Sequence, residues 1–517
     1  MKFLKIESYK IGILLSTFFN IVNKGLVFFS NLVIAYYFGA KTETDVYFFT
    51  YNSIALAATF FTSLNSSILV PESMRIREKE GKENAFDFLN MFILFYSAIT
   101  MLMALVCFLY PFQTFRIISN FDSNALLTHR NILSLTVILM PLMVINNLLS
   151  DILTSYKYFT IPMVVGIING LLALLAIVFL HNTFGILSAV AGLLIANFIN
   201  LALLVFIMKR NLAWDFRIKL VKVGKRIWGN IGYAQLGNIT SIFSSYVPLY
   251  FFSGSSAGLI TALNFAQQIA GLPNSLITMQ FSSVAAIKFN ELYAKNELRE
   301  VNRLFITTGG FLIFILLPIS GFFFLFPKEI ISIFYKRGAF SGDAIYYASG
   351  FLQFLGTLLP MLVINTLLSR MFMASHQIKQ SFWYQIICNF ILIGLIAFFI
   401  KRLGFIGYPL ALVVYNFSNV LACLWLCKKY FPFLDYKKML KDFFILLSCN
   451  MIIVITLLFF KSVLSFINIY LLIVIIVVFY GILLLIINEK FNLNHFIKDF
   501  SFVIKQKLNF KNESNIR

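Results

Sequence analysis

About fourteen hydrophobic runs, each long enough to cross a bilayer, follow one another through the 517 residues. A spanning helix needs roughly 20 apolar residues and a barrel strand only about 9–11. Hydrocarbon offers no water to backbone groups, so such runs must close their hydrogen bonds internally, as helices. The runs lie near residues 11–37, 46–70, 86–110, 131–156, 160–181, 184–208, 228–252, 256–286, 304–326, 345–374, 381–400, 404–427, 441–460 and 465–488, and are numbered here as spans 1 to 14. The expectation is an all-α polytopic membrane protein with about 14 transmembrane helices. Loops are short, which leaves no room for an inserted soluble domain. The first run is too long for a secretion signal and lacks a small-residue cleavage site.

A formal net charge of +21 would suit nucleic acid, but its placement argues against that partner. With fourteen spans both termini share one side. Of the 42 Lys and Arg, about 31 fall on that side, about 9 on the other, and Lys24 and Arg370 lie within spans. Positive charge gathers on the cytoplasmic side of membrane proteins, so both termini are expected there, with membrane lipids as the partners of the basic loops. Residues 491–517 read as a basic cytoplasmic tail.

Lys24 stands at the middle of span 1. A charge at that depth costs roughly 3 kcal/mol on insertion scales and marks a functional position. Ser16, Asn20, Asn23, Ser30 and Asn31 fall on the same side of the helix at about 100° per residue, while Leu14, Phe18, Ile21, Phe28 and Leu32 lie opposite. A polar stripe with one cation points to an anionic substrate, for which Lys24, Asn20 and Asn31 are candidate ligands.

The chain also repeats itself. Ala196-Asn197-Phe198-Ile199-Asn200 matches Tyr415-Asn416-Phe417-Ser418-Asn419 at an offset of 219, and Asn169 corresponds approximately to Asn389. Six spans therefore repeat as six more in the same orientation. This predicts two parallel six-helix lobes, residues 1–210 and 211–430, plus two C-terminal helices in 431–490. Transporters of this plan bind substrate between the lobes near the midplane and rock to give alternating access.

Six plus six plus two resembles the multidrug/oligosaccharidyl-lipid/polysaccharide exporter superfamily. Within it the chain resembles the lipid II flippase (MurJ/MviN) family over nearly its whole length. The carrying segments are Phe38-Gly39-Ala40 with Thr44-Asp45-Val46-Tyr47-Phe48, Leu69-Val70-Pro71-Glu72, Phe159-Thr160-Ile161-Pro162, 266–273, 334–340 (FYKRGAF, an outer loop in the family) and 372–379. The resemblance implies a bacterial inner membrane flippase for a polyprenyl-pyrophosphate-linked saccharide, with membrane-embedded cations holding the pyrophosphate. Lys24 falls where the family carries one such arginine. The other family arginines fall on Ser30, on Ala57 or Ala58, and on Gln268, and the acidic residue of span 2 falls near Thr62 or Ser63.

Remaining polar positions admit a functional and a structural reading. Asn264 and Gln268 share a face of span 8 and suit either a sugar phosphate or helix–helix hydrogen bonding. Span 7 carries Gln235, Asn238, Thr240, Ser241, Ser244 and Ser245, enough to line water. Asn389 and Asn416 suit a coupling cation, as in related transporters, but no membrane carboxylate accompanies them. Asp45 is placed to cap the start of span 2. Asp151 and Arg370, 219 residues apart and opposite in charge, are candidate gating partners or independent interfacial anchors. The five cysteines and four histidines form no metal-ligand pattern, and no catalytic constellation or phosphate-binding loop is present. The expected protein is a monomeric transporter needing no cofactor, not an enzyme. Competing readings are a flippase for an O-antigen, capsule or exopolysaccharide unit, a small-molecule efflux antiporter, and a non-transporting membrane scaffold.

Overall fold

The computed structural model describes residues 9–217, 219, 224–340, 342–375, 377–463 and 469–490. The basic tail 491–517 lies outside the described residues. Among the described residues each predicted span falls on helix: Tyr9–Phe38, Thr42–Glu80, Lys82–Leu109, Arg130–Ser155, Thr160–Phe184, Leu187–Leu212, Lys225–Ser253, the 259–294 segment, Leu298–Leu325, the 342–374 segment, Ile378–Leu403, Gly407–Tyr430, Tyr436–Val463 and Ile469–Lys490; the first four residues of span 14 lie outside the described residues. No strand occurs among the described residues. Among those residues nine helices are long and apolar enough to cross a membrane by themselves, a count that takes Lys379–Tyr430, holding spans 11 and 12, as one. Spans 7 and 8 fall below that measure because of the polar residues counted above. Span 10 is a bent pair, Gly342–Gly356 and Leu359–Ala374, at 49°.

Helix ends follow local chemistry. Span 1 stops at Gly39, whose φ of +66° suits a residue without Cβ. Its N–H closes the helix onto Ala35 O at 3.0 Å. Thr44 then organises the start of span 2, accepting from Lys41 N and donating to Lys41 O, both at 2.8 Å.

Spans 2 and 8 share an unusual break. Each contains one wide, π-type turn, Asn65–Leu69 and Asn274–Thr278. Both turns begin Asn-Ser, NSSIL and NSLIT, at an offset of 209. The repeat read at 219 is therefore ten residues shorter at this point, which places ten extra residues between the turn of span 8 and the Asn pair of span 12. Such turns leave backbone groups outside the regular ladder and concentrate at functional positions.

The chain packs as two units. The first comprises Met1–Phe265, Ile331–Ala348 and Gln385–Phe405, and the second Ala266–Ile330, Ser349–Tyr384 and Ile406–Arg517. In the first unit, spans 5 and 6 approach through small residues: a Cβ on Gly192 would meet Ala176 Cβ at 2.6 Å and Leu172 O at 2.8 Å. Close backbone approach replaces hydrophobic driving force between helices in lipid. Asn146 Nδ2 donates to Asn197 O and Oδ1 at 3.0 and 3.1 Å, and Asn200 Nδ2 to Asn169 Oδ1 at 3.0 Å. In the second unit Asn419 Nδ2 donates to Asn365 Oδ1 at 2.6 Å. Asn146 and Asn365 are again 219 apart. The asparagines that mark the repeat thus tie the fourth helix of each six to the sixth.

Candidate functional site

Span 1 divides its polar stripe between two tasks. Asn23 and Ser30 turn toward span 5. Ser30 Oγ donates to Leu26 O at 3.0 Å and reaches Gly170 O at 3.4 Å, and a Cβ on Gly166 would touch Asn23 Nδ2 at 2.6 Å. Lys24 is exposed and Asn20 half-buried. Asn31, close to Lys24 on the helical wheel but about 10 Å further along the axis, is 7% exposed. The accessible strip therefore closes between Lys24 and Asn31. Phe18, Ile21 and Phe29, away from this strip, are exposed as well.

On span 8, Asn264 and Gln268 lie one turn apart in Leu259–Pro273 and are both half-buried. The boundary between the two units falls between them. Among the described residues of the first unit no hydrogen bond or ion pair joins any two of Lys24, Asn20, Asn31 and Asn264. Gln267, one position before, is exposed and places Nε2 3.4 Å from Tyr408 Oη.

The polar face of span 7 is partly spent on helix contacts. Gln235 Nε2 donates to Phe60 O at 2.7 Å and Asn238 Nδ2 to Ser63 Oγ at 2.6 Å, both on span 2. Thr240 Oγ1 accepts from Asn389 Nδ2 at 3.0 Å. Asn416 Nδ2 donates within its own helix, to Leu412 O at 2.8 Å. Among the described residues no group of His, Cys, Asp or Glu could hold a metal.

Asp151 is half-buried on span 4, and its Oδ2 accepts from Asn65 Nδ2, in the wide turn of span 2, at 2.9 Å. Arg370 is half-buried on span 10, with Nη1 4.0 Å from Met373 Sδ. They belong to different units.

Asp45 acts differently from its reading as a cap for its own helix. Thr44 already serves that end, and Asp45, the fourth residue of the helix, points to a neighbour. Its carboxylate is 2% exposed and accepts from Gly258 N at 2.6 Å, Thr261 N at 2.8 Å and Thr261 Oγ1 at 2.6 Å. It thus caps the first turn of span 8, where a negative charge meets free N–H groups. Gly258, φ +87°, permits the approach, since a Cβ there would meet Ala40 O at 2.6 Å.

Two anchors were not anticipated from sequence. Asp87, 1% exposed at the start of span 3, receives Arg217 Nε at 2.6 Å and Lys219 Nζ at 3.1 Å, while Trp214 Nε1 donates to Asn90 Oδ1 at 2.9 Å. These contacts pin the segment after span 6. In the second unit Lys461 bridges Glu329 at 2.8 Å and donates to Leu325 O at 2.7 Å. Neither pair has a spacing that a sequence pattern would flag.

The family profile described as lipid II flippase MurJ matches residues 34–484. The chain is 23% identical over 427 residues to the probable lipid II flippase MurJ of Aquifex aeolicus (strain VF5), covering 81% of each chain. It is 21% identical over 374 residues to that of Buchnera aphidicola subsp. Acyrthosiphon pisum (strain APS), covering 69% of this chain and 72% of the relative. In structure it resembles a lipid II flippase MurJ in an inward closed conformation, with TM-score 0.78, 20% identity, and coverage of 92% of this chain and 98% of the other. An inward-facing multidrug resistance MATE transporter of the MOP superfamily matches at TM-score 0.64 and 15% identity, over 82% and 96%. The chain belongs to the lipid II flippase MurJ family, as a multi-pass bacterial inner membrane flippase of lipid-linked precursors and not an enzyme.

Proposed function

We propose that the chain moves a polyprenyl-pyrophosphate-linked saccharide from the inner to the outer leaflet by alternating access, with Lys24 holding the pyrophosphate. The observation that carries this reading is Lys24 itself, an exposed cation in the middle of a hydrophobic helix. A lysine there is stable only where water or an anion reaches it. Asn20 on the same helix, and Asn264 and Gln268 on span 8, are the proposed hydrogen-bonding partners of phosphate and sugar; Asn31, buried in the described conformation, joins them only in a state that opens the strip further along span 1. Lysine supplies a point charge without arginine's bidentate fork, so it selects phosphate geometry less strictly. Residues 1–210 and 211–430 are the proposed lobes, acting in a single chain, with both termini cytoplasmic.

A second cargo, an O-antigen, capsule or exopolysaccharide unit, is favoured by one observation. One position where a family arginine falls here lies in close packing: Ser30 is 8% exposed with Oγ 3.4 Å from Gly170 O; of the two candidates on span 2, Ala58 is 3% exposed and Ala57 half-buried. An arginine at Ser30 or Ala58 would have to push neighbouring helices apart. The chain's cation cluster is thereby reduced to Lys24. Flipping of defined lipid-linked saccharides by the purified, reconstituted protein tests both readings. Transport of neither class would favour the scaffold reading.

Asp151 and Arg370 are proposed to pair when the cavity is shut to the cytoplasm. In the described conformation Asn65 partners Asp151, and a single amide hydrogen bond is weak enough to be exchanged for a guanidinium.

A further inference from the structure

Span 4 carries one acid, Asp151, and it stands almost alone. Asn65 Nδ2 donates to its Oδ2 at 2.9 Å, and among the described residues no ion pair and no second hydrogen bond reaches it. The charged groups of the elements packed against this end of span 4 are engaged elsewhere or exposed. On the continuation of span 2, Glu72 is bridged to Arg75, and Arg77 lies over the Tyr156 ring at 4.4 Å. On span 3, Asp87 holds Arg217 and Lys219, and Lys82 donates to Leu212 O at 2.8 Å. Span 6 offers only Lys209 and Arg210, both exposed in its last turn, and Lys157, just beyond span 4, is exposed too. Span 5 has no charged residue at this end.

Asn65 supplies the second observation. It is fully buried at the first position of the wide turn in span 2. Its Oδ1 is closed off from solvent and has no hydrogen-bond partner among the described residues. A buried acceptor is costly to leave unpaired, and because solvent does not reach this one its partner has to be a protein donor. Turning the amide over does not remove the need. The oxygen would then face the carboxylate, acceptor against acceptor, and the NH2 would be stranded instead. An ionised carboxylate only accepts, whereas a protonated one also offers an O–H. An amide edge and a carboxyl edge match, with one donor and one acceptor each. A protonated Asp151 can therefore close a pair in which each side chain gives one hydrogen bond and takes one. The proton also removes a charge that a single amide compensates poorly within an apolar span.

We propose that Asp151 and Asn65 form a proton-binding site. Asn65 Nδ2 donates to Asp151 Oδ2, while Asp151 Oδ1 carries the proton and donates it to Asn65 Oδ1. Asp151 is half-buried, so the proton comes from water on its open side and returns to water when span 4 and the wide turn separate. One carboxyl O–H bond forms and one breaks per cycle, and nothing else is consumed. The second repeat carries Arg370 at the position of Asp151 and offers no acid there, so the site holds one proton per chain. Pairing of Asp151 with Arg370, proposed above, needs the ionised carboxylate and so follows proton release. The site itself does not rest on that pairing.

The test is infrared spectroscopy of the full chain in phosphatidylcholine nanodiscs at neutral pH. The carbonyl of a protonated carboxyl absorbs apart from the amide bands and shifts on exchange into heavy water. The wild type is expected to show one such band that is absent in Asp151→Asn. The band should move or vanish in Asn65→Leu, which removes the amide at nearly equal size. Thermal melting gives an independent reading. A proton held in the folded state and released on unfolding stabilises at low pH, and that contribution is lost as pH rises through the folded-state titration. Asp151→Asn keeps both hydrogen bonds without a titrating proton, so its melting temperature should gain on that of the wild type as pH rises. Identical carboxyl bands in wild type and Asp151→Asn would overturn the site, since Asp151 is then ionised. A band unchanged in Asn65→Leu would overturn it by detaching the proton from the wide turn, and parallel melting profiles would do the same. The charge reversals that test the gate do not enter these readings, so either proposal can fail alone.

Discussion

Asp45 Oδ1 receives both the amide and the hydroxyl of Thr261, at 2.8 and 2.6 Å, so the start of span 2 and the start of span 8 share one buried carboxylate. Asp45→Ala strands the Gly258 and Thr261 donors in a buried place and should cost about 2–4 kcal/mol. Thr261→Val removes one donor and should cost about 1 kcal/mol. Thermal melting of the two single variants and the double variant checks the coupling, which should be clearly non-additive. Additive losses would show that the pair does not act as a unit.

Small-residue packing between spans 5 and 6 should be intolerant of bulk. Gly192→Leu places side-chain atoms where Ala176 and Leu172 O already stand, and overpacking of this kind costs about 1–3 kcal/mol or more. Reduced yield and a lower melting temperature are expected. Gly271→Ala is the control, since nothing lies within 4 Å of a Cβ there.

Orientation can be read by labelling single cysteines, in a background without the five native ones, with an impermeant thiol reagent. Lys336 serves better than Gly338, two residues on, where a side chain would strain the close approach to Tyr36 O. Lys336→Cys should label in intact cells, and Lys511→Cys only after permeabilisation. The reverse pattern would invert the proposed topology.

For the gate, reversing Asp151 or Arg370 alone should slow transport, and the double swap should restore it. A partly buried pair worth about 1–3 kcal/mol shifts a two-state equilibrium roughly 5- to 150-fold. Single reversals without effect, or a swap no better than either, would return both residues to interfacial anchoring.

Which parts of this architecture were legible follows from physics. Bilayer thickness imposes a length on each helix, so the span boundaries could be read to within a few residues at most ends. The 219-residue period was read from asparagines, which are conspicuous in apolar helices, and asparagines at that spacing do bridge helices, Asn146 to Asn197 and Asn365 to Asn419. The wide turns at Asn65 and Asn274 were not, because their register differs by ten residues and a π-type turn has no side-chain period of its own. Polarity alone could not assign direction. Ser30 and Asn23 look like neighbours of Lys24 on a wheel, yet glycines on span 5 draw them into a helix contact. Asp45 sits where it could cap its own helix, but Thr44 occupies that role and leaves the carboxylate to span 8.

The most direct test of the central claim is the rate at which purified protein in proteoliposomes flips a fluorescent polyprenyl-pyrophosphate-linked saccharide, compared across substitutions at residue 24. Losing one partly desolvated charge contact to phosphate is worth about 1.5–3 kcal/mol, roughly a tenfold to hundredfold loss of rate if that contact forms in the rate-limiting step. Lys24→Ala should therefore fall by that factor at unchanged membrane abundance, and Lys24→Arg should retain transport. Full activity in Lys24→Ala would contradict the account.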